Sequence, residues 1–433
     1  MAAEAELPAI HGRKLSTVVP GSVTGEAAVY ELANIDLVMK LHYLRTVYYF
    51  KADEIIDSLT IKALKEPMFP WLDVYYPVAG RIRRTEAGRP FVKCNDCGVR
   101  IVETKCGQTL EEWLEIKDSS RWRQLVPEKV LGPDLHFSPF VFIQFTRFKC
   151  GGMAIGFSWS HILGDAITAT NFINLWAQLL SNSPLKCQQH LLSPETKTEK
   201  TPIKLPASME LLPVKQVEHV GDSWLSLNNS KMATHSFQIT EEKIKQLQAK
   251  ESGQISSFEI ISALIWQCLS KIRKDKGPKS VTICRNDTSA KRSGLLSNEQ
   301  KISTVVSDFV PSKVAISELA SMIAKQEVAE TKMIEDLVDG QSGTPDFIVY
   351  GANLTFIDME GVPLYELELK GRKPIHVEYS IDGVGDEGAV LVLQCPQQTY
   401  GSGGNGGKMV MLILPEDQIP PLQEELQSAW GVA

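Results

Sequence analysis

Apolar residues recur along this chain with two different periods, and each period predicts a type of element. Helical spacing of apolar positions covers residues 35–44 and 55–64. Short apolar runs at 78–82 and 99–102 are typical of strands. The first part of the chain therefore predicts an irregular alternation of helices and strands, which is typical of a mixed α/β fold.

Two longer apolar runs, 140–148 and 154–159, flank a compact turn at 149–152 and predict a β-hairpin. A helix is predicted directly afterwards, because apolar residues then recur at helical spacing and would form one buried stripe: Ala169, Phe172, Ile173, Trp176, Leu179 and Leu180. The chain thus passes from a buried hairpin into a buried helix through a short junction.

Between residues 181 and 222 the composition shifts to Ser, Pro, Lys, Gln and Thr without an apolar period. A segment of this kind is typical of a connection between domains. The chain has 433 residues, which exceeds the size at which one hydrophobic core usually stops growing. We therefore expect two lobes, 1–180 and 223–433, joined by a linker over 181–222.

The second half again places a two-stranded element before a helix. Ser256 and Glu259 fit a capping box at the start of a strongly apolar helix, and Pro415 is expected to open the final helix. Other elements are predicted from apolar runs and periods: helices at 241–250 and 314–334, and strands at 281–284, 389–393 and 409–414. The two halves predict related α/β lobes with a cleft between them.

The net charge of the chain argues against one class of partner, nucleic acids. The formal net charge is −7, so the phosphates of a nucleic acid would meet no overall positive field, and we expect no nucleic-acid partner. The densest basic run, 271–279, is interpreted as a solvated helix C-terminus, with anchoring of a cofactor phosphate as the alternative. No apolar run reaches the length of a membrane helix and residues 1–15 lack a signal-like core, which favours the cytosol.

Cysteines and glycines give no sign of a metal or nucleotide site. The eight cysteines are scattered, as expected for reduced thiols, and Cys94 and Cys97 lack a second pair at zinc-site spacing, so no metal is expected. Residues 401–406 satisfy G-x-G-x-x-G, but a predicted strand follows where a dinucleotide site needs a helix. We interpret that segment as a hairpin loop.

Candidate chemistry lies in the junction 158–165, Ser-Trp-Ser-His-Ile-Leu-Gly-Asp, where a buried strand runs into His161 and Asp165 follows four residues later. A strand end can hold an imidazole in one tautomer facing a cleft. Neutral His161 would take a proton from an acceptor hydroxyl or amine, and the imidazolium would return it to the thiol leaving a thioester. A buried structural histidine is the alternative. Asp165 either orients His161 or pairs with a distant arginine.

These residues resemble the BAHD superfamily of plant acyl-CoA-dependent acyltransferases, and the resemblance covers essentially the whole chain. Residues 76–82, Tyr-Pro-Val-Ala-Gly-Arg-Ile, and 94–99 look like further segments of that family. The resemblance implies an α/β fold of two chloramphenicol-acetyltransferase-like lobes, each a mixed β-sheet with flanking helices. It also implies an active-site channel between the lobes, from both ends of which His161 is reachable.

The resemblance also implies roles for individual residues. His161 would be the general base, and Asp165 would be structural, turned away toward an arginine for which Arg285 is the candidate. Acyl-CoA would be a substrate, and no permanently bound cofactor is implied.

Three departures from the family pattern argue against ordinary transferase turnover. Ala166 stands where a glycine usually follows the motif aspartate, and 286–298 lacks the family's Tyr-Phe-Gly-Asn. Before Lys373 the chain reads Glu-Leu-Lys-Gly-Arg instead of Asp-Phe-Gly-Trp-Gly. That pentapeptide is credited with structural support of the coenzyme channel.

The chain resembles the eceriferum, or glossy, wax-related branch of the superfamily. This resemblance rests on those departures and on the segments 39–43, 148–152 and 350–356. That branch implies a role in extending very-long-chain acyl chains, or acyl-CoA, toward cuticular wax, beside the elongase condensing enzyme, a 3-ketoacyl-CoA synthase. We favour an accessory of that enzyme; an active O- or N-acyltransferase with His161 as base is the other hypothesis. We expect a monomer on its own, held by its partner at the cytosolic face of the endoplasmic reticulum.

Overall fold

The computed structural model describes residues 9–116, 120–127, 136–181, 213–217, 228, 230–249, 255–286, 294–326, 330–339, 346–395 and 407–432. The strands are β1 (Ile10–Val18), β2 (Val29–Tyr30), β3 (Tyr43–Phe50), β4 (Arg81–Arg84), β5 (Pro90–Lys93), β6 (Val99–Cys106), β7 (Val141–Phe148), β8 (Met153–Ser160), β9 (Lys215–Val217), β10 (Met232–Thr240), β11 (Ser280–Arg285), β12 (Lys301–Val306), β13 (Asp346–Ile348), β14 (Leu354–Asp358), β15 (His376–Asp382), β16 (Ala389–Gln394) and β17 (Gly407–Pro415). The α-helices are α1 (Asn34–Val38), α2 (Glu54–Ser58), α3 (Ile61–Lys65), α4 (Met68–Val74), α5 (Leu110–Leu114), α6 (Ala166–Leu180), α7 (Glu241–Gln248), α8 (Ser257–Ile272), α9 (Ile316–Lys325), α10 (Thr331–Asp339) and α11 (Ile419–Glu425).

The first large sheet has the order β1-β6-β7-β8-β3-β15. Strands β3 and β8 are buried along their whole length, including polar residues such as Arg45 and Ser158, so exposure does not alternate along either strand. Strands β7 and β8 pair antiparallel, from Val141 opposite Trp159 to Arg147 opposite Met153. The predicted hairpin and the helix after it, α6, are therefore confirmed.

The second large sheet has the order β10-β17-β16-β14-β11-β12, with β14 parallel to both β11 and β16. Helix α8 starts at the predicted capping box, in which Ser256 N–H donates to Glu259 at 2.8 Å. Its apolar residues pack with those of β11, β14, β16 and β17 in one buried cluster. The predicted strands at 281–284, 389–393 and 409–414 lie within β11, β16 and β17.

Strand β15 belongs to the second half of the chain but completes the first sheet. It pairs antiparallel with β3, from His376 opposite Tyr49 to Asp382 opposite Tyr43. Of the predicted linker 181–222, the described residues are 181 and 213–217, and the latter hold β9, which pairs with β13. The lobe boundaries therefore stay a prediction, and the sequence pattern does not reveal the exchange of β15.

Several predicted element boundaries are wrong. The helix predicted at 35–44 ends at Val38, and after a turn the chain enters β3 at Tyr43, a strand with both faces buried. The helix predicted at 55–64 is two short helices, since Thr60 caps a new helix through Ala63 N–H. The prediction at 78–82 also fails in part, because a 3-10 turn covers Tyr76–Ala79 before β4 begins.

The second half shows similar differences. The helix predicted at 314–334 is divided into α9 and α10. Pro415 ends β17, and the final helix begins at Ile419. The glycine-rich segment 401–406 lies outside the described residues, and the strand expected after it is β17.

The basic run that begins in the last turn of α8 makes ion pairs within the chain. Lys271 contacts Glu425 at 2.7 Å and Arg273 contacts Glu387 at 2.8 Å. These contacts agree with the interpretation as a helix C-terminus, where cations are favourable.

None of the helices in the described part of the chain combines the length and apolar character needed to cross a bilayer.

Candidate functional site

His161 stands where the sequence places it, at the end of an inner strand. Strand β8 ends at Ser160, and His161 opens a 3-10 turn over His161–Leu163. Because β8 pairs with β3, its end lies beside the start of β3, and the His161 N–H donates to the carbonyl of His42 at 3.1 Å. Two central strands therefore fix the backbone that carries the imidazole.

The imidazole is hydrogen-bonded to a tyrosine that comes 189 residues later in the chain. Nε2 of His161 lies 2.9 Å from the hydroxyl of Tyr350, and that hydroxyl donates to Oε1 of Gln300 at 2.8 Å. The amide nitrogen of Gln300 faces the sulfur of Met39 at 3.7 Å, which leaves the amide oxygen for the tyrosine. A phenol has one hydrogen, so Tyr350 accepts from His161, and Nε2 of His161 carries the ring proton.

His161 and Tyr350 are buried, whereas an imidazole open to a channel was expected. His161 and Tyr350 are each 1% exposed, whereas the family resemblance implies an imidazole reachable from both ends of a channel. Burial lowers the pKa of His161 below its usual range and raises the pKa of Tyr350 well above its usual range. Both side chains are therefore neutral near pH 7.

His42 accepts hydrogen bonds from the main chain at Tyr350. Its Nε2 accepts from the N–H groups of Val349 at 3.0 Å and Tyr350 at 3.4 Å. Burial, followed by the neighbouring His161, lowers the pKa of His42 to about 3, so the ring remains a neutral acceptor. Sequence reasoning missed this role and those of Tyr350 and Gln300, since the His42 contact joins residues 307 positions apart.

Asp165 faces away from the imidazole and binds main-chain amides. Its Oδ1 accepts from the N–H of Thr168 at 3.0 Å and caps α6, and its Oδ2 accepts from the N–H of Glu299 at 3.0 Å. His161 makes no hydrogen bond to it, because Nε2 binds Tyr350 and Nδ1 has no hydrogen-bond partner in the part of the chain that the structure describes. The possibility that Asp165 orients His161 is thereby excluded, and the carboxylate instead ties the motif to residues 297–299.

The prediction that Arg285 is the partner of Asp165 is wrong. Arg285 donates to Glu259 at 2.6 Å, lies 4.0 Å from Asp358, and stacks over the ring of Phe258. It stands at the end of β11 opposite Asp358 of β14, where the first turn of α8 supplies Glu259 as the near carboxylate. The position of Arg285 at the end of β11 therefore brings it to Glu259 rather than to Asp165.

The segment in place of the family pentapeptide is a surface turn. Leu369 and Arg372 exchange main-chain hydrogen bonds of 2.9 and 3.0 Å around Lys370 and Gly371, which both have positive φ. The Arg372 side chain pairs with Asp53. The turn thus anchors itself to the first half of the chain.

Asn298 links the motif to a second buried acid. Its amide donates to Oδ1 of Asp36 at 2.9 Å and to the carbonyl of His161 at 3.0 Å. Burial raises the pKa of Asp36 from 3.8 to about 7, with smaller contributions from the charges of Asp165 and Glu335. Asp36 therefore titrates in the physiological range although it is structural.

Asp36 gives a prediction about pH. Between pH 3.8 and about 7 the folded state keeps a proton on Asp36 that the unfolded state has released, so stability falls as pH rises through this window. Asp36→Asn should remove this part of the dependence. Urea unfolding at about pH 5 and about pH 8 should then show a smaller loss of stability in the variant than in the unchanged protein. Equal losses in both proteins would show that Asp36 is ionised throughout.

Comparison with known proteins identifies the family. A family model described as "Transferase family" matches residues 10–428. The chain belongs to the BAHD transferase family. Among relatives of this BAHD protein, ECERIFERUM 26-like of Arabidopsis thaliana is 39% identical over 424 residues, covering 96% of this chain and 95% of the relative. ECERIFERUM 2 of the same plant is 39% identical over 428 residues, covering 95% and 97%. The resemblance to the eceriferum branch is confirmed.

Solved structures with the same fold agree with the two-lobe architecture. Vinorine synthase has a TM-score of 0.73 at 18% identity, covering 97% of the BAHD protein and 98% of its own chain. TRI101 of F. graminearum, complexed with coenzyme A and T-2 mycotoxin, has a TM-score of 0.71 at 15% identity, covering 94% and 98%. The predicted fold class is therefore confirmed. BAHD acyltransferases use acyl-CoA as a substrate.

Proposed function

We propose that this BAHD protein acts in very-long-chain fatty acid elongation for cuticular wax, as an accessory of the elongase condensing enzyme, a 3-ketoacyl-CoA synthase. The observation that carries the proposal is the state of His161, which is 1% exposed and has its Nε2 bound to Tyr350. A general base has to present an unprotonated nitrogen to the acceptor. The names of the eceriferum relatives support the wax-related part of the proposal.

Charges at the start of α8 also support a role without coenzyme turnover. A helix N-terminus suits a phosphate because its free N–H groups and dipole favour an anion. Here Glu259 accepts from Ser256 N–H, and Glu360 accepts from the Ser257 hydroxyl at 2.6 Å. Lys408, a cation beside this end, pairs with Glu360 at 3.1 Å. Carboxylates of the protein thus take the contacts that a phosphate would need.

The proposed cellular location follows from the proposed partner, the condensing enzyme. We propose that the protein works as a monomer at the cytosolic face of the endoplasmic reticulum, held there by the condensing enzyme. Its ligand would be a very-long-chain acyl group or acyl-CoA in transit through that enzyme. We also propose that residues 181–222 link two lobes, 1–180 and 223–433, and that Asp165 has a structural rather than a catalytic role.

Variants of His161 test the accessory role. His161→Gln keeps an N–H donor toward Tyr350 but cannot act as a base, whereas His161→Ala loses both properties. We expect His161→Gln, co-expressed with a condensing enzyme, to give the same acyl chain lengths as the unchanged protein. The measurement is the chain-length profile of the fatty acids by gas chromatography. A folded His161→Gln variant that loses the longest products would contradict the proposal.

One observation favours the second candidate, an active O- or N-acyltransferase. Burial lowers the pKa of His161, so the imidazole is neutral, which is the form that a base needs. In that case the purified protein should turn over acyl-CoA, and His161→Ala should lower the rate on the order of 10²-fold or more. The same loss in His161→Gln would assign the effect to the base rather than to the hydrogen bond.

A further inference from the structure

We propose that Tyr350 occupies the acceptor position of a latent acyl-transfer site, and that removal of its phenol gives His161 a cavity in which a small alcohol or water can be activated. This inference rests on the proposed function, because it assumes that the unchanged protein does not use the site. It concerns an activity that the Tyr350 side chain blocks in the unchanged protein.

Distance and chemical type support the assignment. A general base works on a hydroxyl about 2.6 to 3.2 Å from its nitrogen. The Tyr350 hydroxyl lies 2.9 Å from Nε2 of His161, and both side chains are buried. A hydroxyl that belongs to the protein thus stands where the hydroxyl of an acceptor would have to bind.

The tyrosine is fixed in this position by its main chain. Its N–H donates to His42, and its carbonyl accepts from Gly385 N–H at 2.8 Å. The next residue, Gly351, has φ +82° and lies so close to Gly385 that a Cβ would come within 2.5 Å of backbone atoms. This tight approach fixes the backbone segment that carries the Tyr350 side chain.

Gln300 determines the direction of the hydrogen bonds. Because the tyrosine gives its hydrogen to Gln300, it makes His161 the donor and keeps the proton on Nε2. Nδ1 of His161 is buried and makes no hydrogen bond to another of the described residues. Without the phenol, no group holds the proton on Nε2, and the tautomer with a free Nε2 becomes accessible.

The chemistry of the opened site balances without an oxidant or reductant. An alcohol in the vacated space transfers its proton to Nε2, and its oxygen forms a bond to the carbonyl carbon of a thioester. The bond from carbon to sulfur then breaks, and the imidazolium returns the proton to the thiolate. The products are an ester and a thiol, or an acid and a thiol when water replaces the alcohol.

The test uses the purified full chain with Tyr350→Ala and an N-acetylcysteamine thioester, which lacks the nucleotide part of coenzyme A. Thiol release is measured with and without a small alcohol such as butanol. We expect a rate on the order of 10²-fold above that of the unchanged protein, lost in the double variant Tyr350→Ala, His161→Ala. Added p-cresol, which matches the missing side chain, should refill the cavity and reduce the rate.

Tyr379→Ala is the matched control. Tyr379 is also a buried tyrosine in the same core cluster, but its hydroxyl has no hydrogen-bond partner among the residues that the structure describes. Its replacement should also leave a cavity in this core, but the Tyr350 phenol stays bound to Nε2 of His161, so we expect no gain in thioester turnover. An equal gain in Tyr379→Ala would show that loosening of the core, not exposure of Nε2, causes the activity, and would overturn the inference.

Tyr350→Phe gives a second readout that needs no turnover. Nitrogen NMR of His161 should show the proton on Nε2 in the unchanged protein and a loss of this preference in Tyr350→Phe. A proton on Nδ1 in the unchanged protein would overturn the inference, as would a folded Tyr350→Ala variant without thiol release. Turnover by the unchanged protein that depends on His161 would instead reject the proposed function.

Discussion

Replacement of Asp165 by alanine is expected to lower the free energy of unfolding by about 3 kcal/mol, because it removes a buried helix cap together with a second main-chain hydrogen bond. The carboxylate is 1% exposed and accepts from the main-chain N–H groups of Thr168 and Glu299. Alanine removes this acceptor from a buried N–H group, that of Thr168, and from a partly buried one, that of Glu299. The effect should appear as a lower urea midpoint in an unfolding experiment monitored by tryptophan fluorescence.

Thr240→Ala is the control for the cap alone. The Thr240 side chain caps α7 by accepting from Lys243 N–H at 3.2 Å at an exposed site, so its loss should cost about 1 kcal/mol. The difference between the two variants then measures the contact with Glu299 and the burial of the site. If Asp165→Ala costs no more than Thr240→Ala, the link to residues 297–299 does not contribute to stability.

Gly351→Ala should have the other large effect, about 3 kcal/mol or more, because it combines backbone strain with overlap. Gly351 has φ +82°, and a Cβ there would lie 2.5 Å from the nitrogen and the oxygen of Gly385. The backbone must then move, and with it the adjacent Tyr350. Thermal unfolding should show a lower midpoint, and nitrogen NMR should show a changed environment for His161.

Gly371→Ala separates the two causes. Gly371 has nearly the same conformation, with φ +85°, but a Cβ there would meet no atom within 4 Å. Its substitution should therefore cost only the strain of a positive φ, about 1 kcal/mol. Similar losses of stability in the two variants would mean that the approach of Gly351 to Gly385 is not tight in solution.

Elements with a strong local pattern were predictable. The hairpin of β7 and β8, helix α6 and the capping box of α8 each follow from apolar spacing or from residues three positions apart. Where the pattern was ambiguous, prediction failed: residues 35–44 contain apolar positions at helical spacing, yet β3 begins at Tyr43. Burial of both faces of a strand removes the alternation that distinguishes it from a helix.

Residue pairings within the site were not predictable from spacing. The sequence placed His161 at a strand end and Asp165 in the same motif, and both positions hold. It assigned Arg285 to Asp165, although the register of β11 on β14 brings Arg285 to Asp358 and Glu259. A local motif defines which groups are present, whereas sheet register defines which groups meet.

The sequence by itself determined the family, the α/β class and the strand end that carries His161, because these depend on motifs and on periods within short segments. The tertiary structure alone decided that β15 joins the first sheet and that Tyr350, Gln300 and His42 surround the imidazole. The physical reason is that these contacts join segments far apart in the chain. Their geometry comes from the order and register of two sheets, which no local pattern of apolar residues records.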